Sequence, residues 1–167
     1  ILRDLGYKKP KLVQSMYISK GKGIGGAVSS HKDNVFLRTT PLSTIGIWVA
    51  IDDASLANGC LHYVPGTHTE DPEHFMRVID GKVHHEKEKT TYTQEGGIPL
   101  EAPKGSVVLI HGNVVHYSEP NTNPDLSRNA YTIHIVESEG AEWENDNWLQ
   151  RENEPFRIFY DVDLSEQ

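Results

Sequence analysis

The apolar residues of this chain come in runs of four to eight, each closed by glycine, proline, asparagine or aspartate. Such runs suit strands, because a helix needs ten or more residues at 3.6-residue spacing to present an apolar face. Leu12 to Ile18 alternates and stops at Gly21-Lys22-Gly23-Ile24-Gly25-Gly26, and a second short strand leads into His31. Ile45 to Ile51 is almost continuously apolar, as in a strand covered on both faces, and Asp52-Asp53 ends it. Leu61 to Val64 stops at Pro65-Gly66, and Gly105 to Gly112, Val114 to Tyr117 and Ala130 to Val136 complete the series. Between Thr69 and Pro103 lies a long polar excursion in which Asp71 is expected to cap a short helix with Pro72 at its first position. Without alternating helices or internal repeats, the order predicts an all-β fold, a sandwich or jelly roll with few short helices rather than a parallel α/β sheet. A chain of 167 residues is expected to form one domain over 1–167.

Charge narrows the partners. The net charge of -8 arises in the acidic C-terminal segment 137–167, which holds 2 basic and 10 acidic residues against 14 and 14 in the first 136. A balanced body offers no basic face for nucleic-acid phosphates. Eight basic side chains between Arg3 and Arg38, against Asp4 and Asp33, read as a solvated edge, with a surface that meets an anionic substrate as the alternative. No apolar run is long enough to cross a membrane, and the first residues, which begin at Ile1 without an initiator Met, show no secretory signal. Cys60 is the single cysteine, so no internal disulfide forms, and the ending Ser165-Glu166-Gln167 is not a peroxisomal address. A cytoplasmic location is the default expectation, and the sequence does not set the oligomeric state.

The candidate chemistry begins at His31-Lys32-Asp33. Residues two apart on extended chain project from one side, so His31 and Asp33 can converge on one ion while Lys32 points away. A second imidazole from elsewhere completes one face of an octahedron and leaves the other positions open, an arrangement that suits non-haem Fe(II). The motif alone is weak, since 9 His and 10 Asp in 167 residues produce such a pair by chance in about half of chains of this composition. His68-Thr69-Glu70 and His84-His85-Glu86 have similar spacing but fall in the polar excursion. Spacing leaves His111 and His116 open as the third ligand. Arg128 begins the strand after His116, and its planar fork is suited to a dicarboxylate. An ordinary surface ion pair is the plain alternative for it.

Several separated motifs together resemble the phytanoyl-CoA dioxygenase family. They are Gln14-Ser15-Met16-Tyr17-Ile18, Ser30-His31-Lys32-Asp33, Gly46-Ile47-Trp48-Val49-Ala50, Asn58-Gly59-Cys60-Leu61 with Pro65-Gly66-Thr67-His68, Leu109-Ile110-His111-Gly112 with Val115-His116-Tyr117-Ser118, and Ser127-Arg128-Asn129-Ala130-Tyr131-Thr132. Their order and spacing agree over roughly residues 10 to 150. The resemblance implies a double-stranded β-helix holding Fe(II) by His31, Asp33 and His116, so it selects His116 over His111. It further implies 2-oxoglutarate and O2 as co-substrates and hydroxylation of a small molecule, with succinate and CO2 released. Arg128 would bind the distal carboxylate of 2-oxoglutarate with Ser118, while Met16 and Trp48 would shape the pocket. Lys32, where relatives often carry Gln, is counted with this cofactor-binding set, and His111 is expected behind the ligands. His62, His68 and His134 are expected to be structural or surface residues. The carboxylate at Asp33 argues against an iron halogenase, in which a small residue stands there. The family's long N-terminal region, with a lysine that contacts 2-oxoglutarate, is not in this chain. The competing expectation is a non-catalytic jelly-roll binding module of cupin or lectin type, or a family member without activity.

Overall fold

The computed structural model describes residues 1–86, 91–151 and 153–161. Its strands are β1 (Pro10–Lys20), β2 (Val28–His31), β3 (Thr39–Thr40), β4 (Ile45–Ala50), β5 (Leu61–Tyr63), β6 (Met76–Ile79), β7 (Lys82–His85), β8 (Ile98–Leu100), β9 (Val107–His111), β10 (His116–Ser118), β11 (Arg128–Glu137), β12 (Glu142–Trp143) and β13 (Arg157–Ile158). All pairings are antiparallel, in a five-stranded sheet of order β13-β1-β11-β4-β9, a four-stranded sheet of order β2-β10-β5-β8, and two short ribbons. The fold is an all-β jelly roll. Among the described residues the helical segments are single 3-10 turns at Asp33–Val35, Leu56–Asn58 and Thr67–Thr69.

Side-chain alternation determines what the two sheets enclose. On β11 the even positions Arg128, Ala130, Thr132 and His134 are buried, and on β4 so are Gly46, Trp48 and Ala50. Trp48, Ala50, Ile110 and Ala130 of the larger sheet pack with Leu61 of the smaller and with the adjoining Cys60, making one contiguous core. Of the odd positions of β4, Ile45 is buried but Ile47 and Val49 are only half-buried, so this strand is less completely covered than its apolar run predicts.

The polar excursion differs from expectation. Asp71 and Pro72 start no helix; the segment instead carries the β6–β7 hairpin and the edge strand β8. Alternation in Met76 to Ile79 and a turn at Asp80-Gly81, both at positive φ, favour a hairpin over a capped helix. The acidic segment is not a solvated tail over its described part. β12 and β13 pair with β3 and β1, and Trp143, Leu149 and Phe156 pack on a second cluster of Val13, Leu37 and Val136. Its last residues, including Ser165-Glu166-Gln167, lie outside the described residues.

One glycine joins the fold to the site. Gly59 closes the Leu56–Asn58 turn at φ +77°, and a Cβ there would stand 2.6 Å from the Glu119 carbonyl oxygen. Its own carbonyl accepts a 3.0 Å bond from Arg128 Nε. Gly59→Ala is expected to cost about 2 kcal/mol of stability through backbone strain and that collision, read as a lower urea midpoint at unchanged slope.

Candidate metal centre and adjoining cavities

Strand register brings the distant histidines together. In the β2–β10 ladder His31 is the direct partner of His116, and their rings lie 4.2 Å apart between centroids. Lys32 is extended (φ -114°, ψ 134°), so the chain carries Asp33 to the same side as His31, as the two-residue spacing predicts. Asp33 Oδ1 lies 3.6 Å from both His31 Nε2 and His116 Nε2, and one ligand atom from each residue falls within 4.8 Å of the others. Two ligands about 2.1 Å from one ion and at right angles would be roughly 3 Å apart, so a small closure would complete a facial triad.

The surroundings prepare these atoms for a cation. His31 Nδ1 lies 2.7 Å from the Ser29 carbonyl and His116 Nδ1 3.0 Å from that of Val114. Each Nδ1 is thereby placed as a donor to a carbonyl, and each Nε2 is turned toward Asp33. Burial would raise the Asp33 carboxyl, but His116, His134 and His31 outweigh it and hold the group well below the usual carboxylate range. Burial pushes His116 down, with Asp33 opposing. Burial also works against the His31 cation, yet the bond and charge of Asp33 leave that residue raised. A metal entering here finds its carboxylate already ionised and displaces at most an imidazole proton.

Two cavities meet at the triad. The inner one, about 80 Å³, runs from the ligands past Trp48 and Thr132 to Ser118 and Arg128. Arg128 is 1 % exposed; its Nε donates to Gly59 O at 3.0 Å and Nη2 to Ser118 Oγ at 3.2 Å, while Nη1 has no hydrogen-bond partner among the described residues. No carboxylate pairs with it among those residues, and burial lowers its pKa to about 10, leaving it cationic at pH 7. Trp48 lies under the guanidinium, ring centroid 5.9 Å from Cζ, and its own Nε1 also lacks a described partner. Met16 stands at the rim, lining both cavities. The outer cavity, about 590 Å³, opens from His31, Asp33 and His134 between Met16, Phe36, Leu37, Met76 and Trp148, with no Lys or Arg among the described residues of its wall.

A model of the family described as "Phytanoyl-CoA dioxygenase (PhyH)" matches residues 1–130. The chain belongs to the phytanoyl-CoA dioxygenase family. Among curated members, the "Phytanoyl-CoA dioxygenase domain-containing protein 1 homolog" of Caenorhabditis briggsae is 45% identical over 166 residues, covering 95% of this chain and 57% of that protein. "Phytanoyl-CoA dioxygenase 1" of Oryza sativa subsp. japonica is 42% identical over 159 residues, covering 95% and 56%. The chain thus spans a little over half the length of these family relatives. Among solved structures, the non-heme alpha ketoglutarate dependent carbocyclase SnoK from nogalamycin biosynthesis superposes with a TM-score of 0.68 at 22% identity, over 94% of this chain and 64% of that one. EvdO2 from Micromonospora carbonacea var. aurantiaca, complexed with 2-oxoglutarate, gives 0.57 at 22% identity, over 80% and 54%. Both share the fold.

Other phytanoyl-CoA dioxygenase motif residues fall elsewhere than expected. Lys32, placed with the cofactor-binding set from sequence, is buried on the far side and donates to the carbonyls of Thr67 (3.0 Å) and Glu70 (2.7 Å). Extended backbone that turns His31 and Asp33 inward turns Lys32 outward. His111 is not behind the ligands; its ring meets His68 at 5.8 Å, and it lines a separate open groove of about 1160 Å³ with Tyr7, Arg38 and Glu137. That groove is larger than either cavity at the candidate triad but contains none of His31, Asp33 and His116. His62 stacks on Tyr117 at 4.9 Å, and His84 and His85 lie on the exposed hairpin. His134, expected to be structural or at the surface, places Nε2 3.3 Å from Asp33 Oδ2. Its signal was available, since it shares the even parity of Arg128 on one strand.

The basic edge is also partly internal. Lys20, 1 % exposed and opposite Arg128 in the β1–β11 ladder, donates to the carbonyls of Gly26 and Glu119. Burial first, and the Arg128 charge second, lower its pKa from 10.5 to about 8. Between those values the unfolded chain holds a proton the folded chain has released, so folding strengthens as pH rises through the window. The melting temperature of wild type minus that of Lys20→Met is therefore expected to increase from below pH 8 to above pH 10; a flat difference would contradict it.

Proposed function

We propose that this chain is the jelly-roll core of an Fe(II)- and 2-oxoglutarate-dependent dioxygenase that hydroxylates a small molecule, releasing succinate and CO2. The observation that carries this reading is the convergence of His31 Nε2, His116 Nε2 and Asp33 Oδ1 where an inner and an outer cavity meet. The residues fit the absent groups. Two imidazoles with outward Nδ1 donors and one ionised carboxylate are the ligand set of a ferrous facial triad. A buried guanidinium without a carboxylate partner is costly unless an anion joins it, and Arg128 keeps three N–H groups free in a fork, two on Nη1 and one on Nη2.

His31, Asp33 and His116 would hold the iron, which when bound supplies O2 activation coupled to 2-oxoglutarate decarboxylation. Arg128 would take the distal carboxylate, Ser118 would orient the guanidinium and offer its hydroxyl, and Trp48 and Met16 would wall the co-substrate. The reacting part of the substrate would enter from the opposite side. The described wall, with Met16, Phe36, Leu37, Met76 and Trp148, suits a largely apolar portion of a small molecule.

The reading is tested by adding Fe(II) and 2-oxoglutarate without oxygen, following the visible charge-transfer band of the bound pair, then admitting O2 and measuring succinate. Iron-dependent succinate formation is expected. Metal binding without 2-oxoglutarate binding would favour a jelly-roll binding module, and 2-oxoglutarate binding without turnover a family member that lacks activity.

A further inference from the structure

Asp33 is 4 % exposed, and among the described residues no hydroxyl or backbone N–H donates to its carboxylate. Its polar environment is three imidazoles, disposed unequally. Oδ1 faces the two candidate ligands at 3.6 Å each, whereas Oδ2 faces His134 Nε2 at 3.3 Å. His31 and Asp33 lie at the end of the four-stranded sheet, and His116 is on its β10, but His134 reaches across from β11 of the five-stranded sheet. It is 5 % exposed, so the contact is made away from bulk water.

The facing strand makes room for this contact. Gly46 is the ladder partner of His134, and a Cβ at that glycine would stand 3.2 Å from Asp33 Oδ2 and 3.6 Å from His134 Cδ2. The first distance is tighter than ordinary packing, so any side chain at position 46 would press on the oxygen that faces His134. A strand interior seldom carries glycine without such a close approach.

We propose that His134 is a positioning residue for the metal centre: it ties Asp33 Oδ2 to the opposite sheet, so that only Oδ1 is presented to the ion. The chemical consequence concerns vacant positions. A carboxylate free to rotate can use both oxygens and fill one position needed by co-substrate or O2, whereas a tethered one stays monodentate and leaves three open. His134 touches Asp33 and acts through it. This inference rests on the iron reading above and goes beyond the three ligands that reading requires.

The test compares wild type, His134→Ala and His134→Gln for Fe(II) affinity, for the anaerobic Fe(II)–2-oxoglutarate charge-transfer band, and for the melting temperature of the metal-free protein. An outer partner of a ligand typically tunes affinity by about 10–100-fold, so His134→Ala is expected to bind Fe(II) weaker by about that factor and to give an altered band. His134→Gln places an amide donor near the former Nε2 and is expected to restore most of both. Gly46→Ala, altered on the facing strand, is expected to weaken metal binding in the same direction. Wild-type affinity and band in a folded His134→Ala would overturn the proposal, as would a Gln variant no better than Ala. Wild-type protein that binds neither Fe(II) nor 2-oxoglutarate would instead defeat the iron reading itself.

Discussion

Asp33→Ala is expected to lower iron-dependent succinate formation more than 100-fold, beyond the roughly 10–100-fold cost of losing an outer partner of a metal ligand. In the proposed triad Asp33 would supply the single carboxylate and the negative charge that balances a ferrous ion in a buried site. Without it, two imidazoles remain 4.2 Å apart between centroids with no anion beside them. Asp33→Asn is the sharper control, because it keeps the volume and removes the charge. Both variants should fail to develop the anaerobic charge-transfer band while retaining strand circular dichroism. Turnover surviving in either would mean that the carboxylate does not hold the metal and that the proposed triad is wrong.

Arg128→Met is expected to raise the Kd for 2-oxoglutarate at least 100-fold with little change in melting temperature. Each charge-assisted hydrogen bond contributes about 1.5–3 kcal/mol, so loss of a two-bond fork removes about 3–6 kcal/mol, or at least two decades of affinity. Stability should respond differently. The substitution breaks the bonds to Gly59 O and Ser118 Oγ, but it also removes a buried cation with no carboxylate partner among the described residues, and the two effects oppose each other. Arg128→Lys retains charge without the planar fork and is expected to recover only part of the affinity. Isothermal titration with 2-oxoglutarate beside thermal melts gives the split. A large fall in melting temperature at unchanged affinity would reduce Arg128 to a structural residue.

How much was legible varies with the physics of each element. The strands from Leu12, Ile45, Leu61 and Ala130 were legible because period-two alternation is a local property that survives any tertiary arrangement. The β6–β7 hairpin was not, because Asp71-Pro72 carries a helix-start signal whereas the pairing of Met76 with His85 is non-local. His31 and Asp33 were legible as a pair since two residues of extended chain suffice to align them. Lys32 followed the same rule, and its assignment to the co-substrate went against it; the buried amine instead ties the Thr67–Thr69 turn to the strand end. The charges of Lys20 and Lys32 were misread as solvated because composition records charge, and burial depends on which carbonyls the fold brings within reach.

His134 could have been found by counting in twos from Arg128, yet its partner could not: nothing local relates position 134 to position 33. The sequence by itself determined an all-β chain, the family to which its motifs belong, and the side-chain types able to hold a ferrous ion and a dicarboxylate. Tertiary structure decided which of those side chains meet. The β2–β10 register sets His31 against His116 while His111 opens on another groove, and sheet-on-sheet packing brings His134 to Asp33. The physical reason is that strand alternation is set within a few residues, whereas register is set by hydrogen bonds between segments some 85 positions apart, and a slip of one residue would turn each ligand to the opposite face.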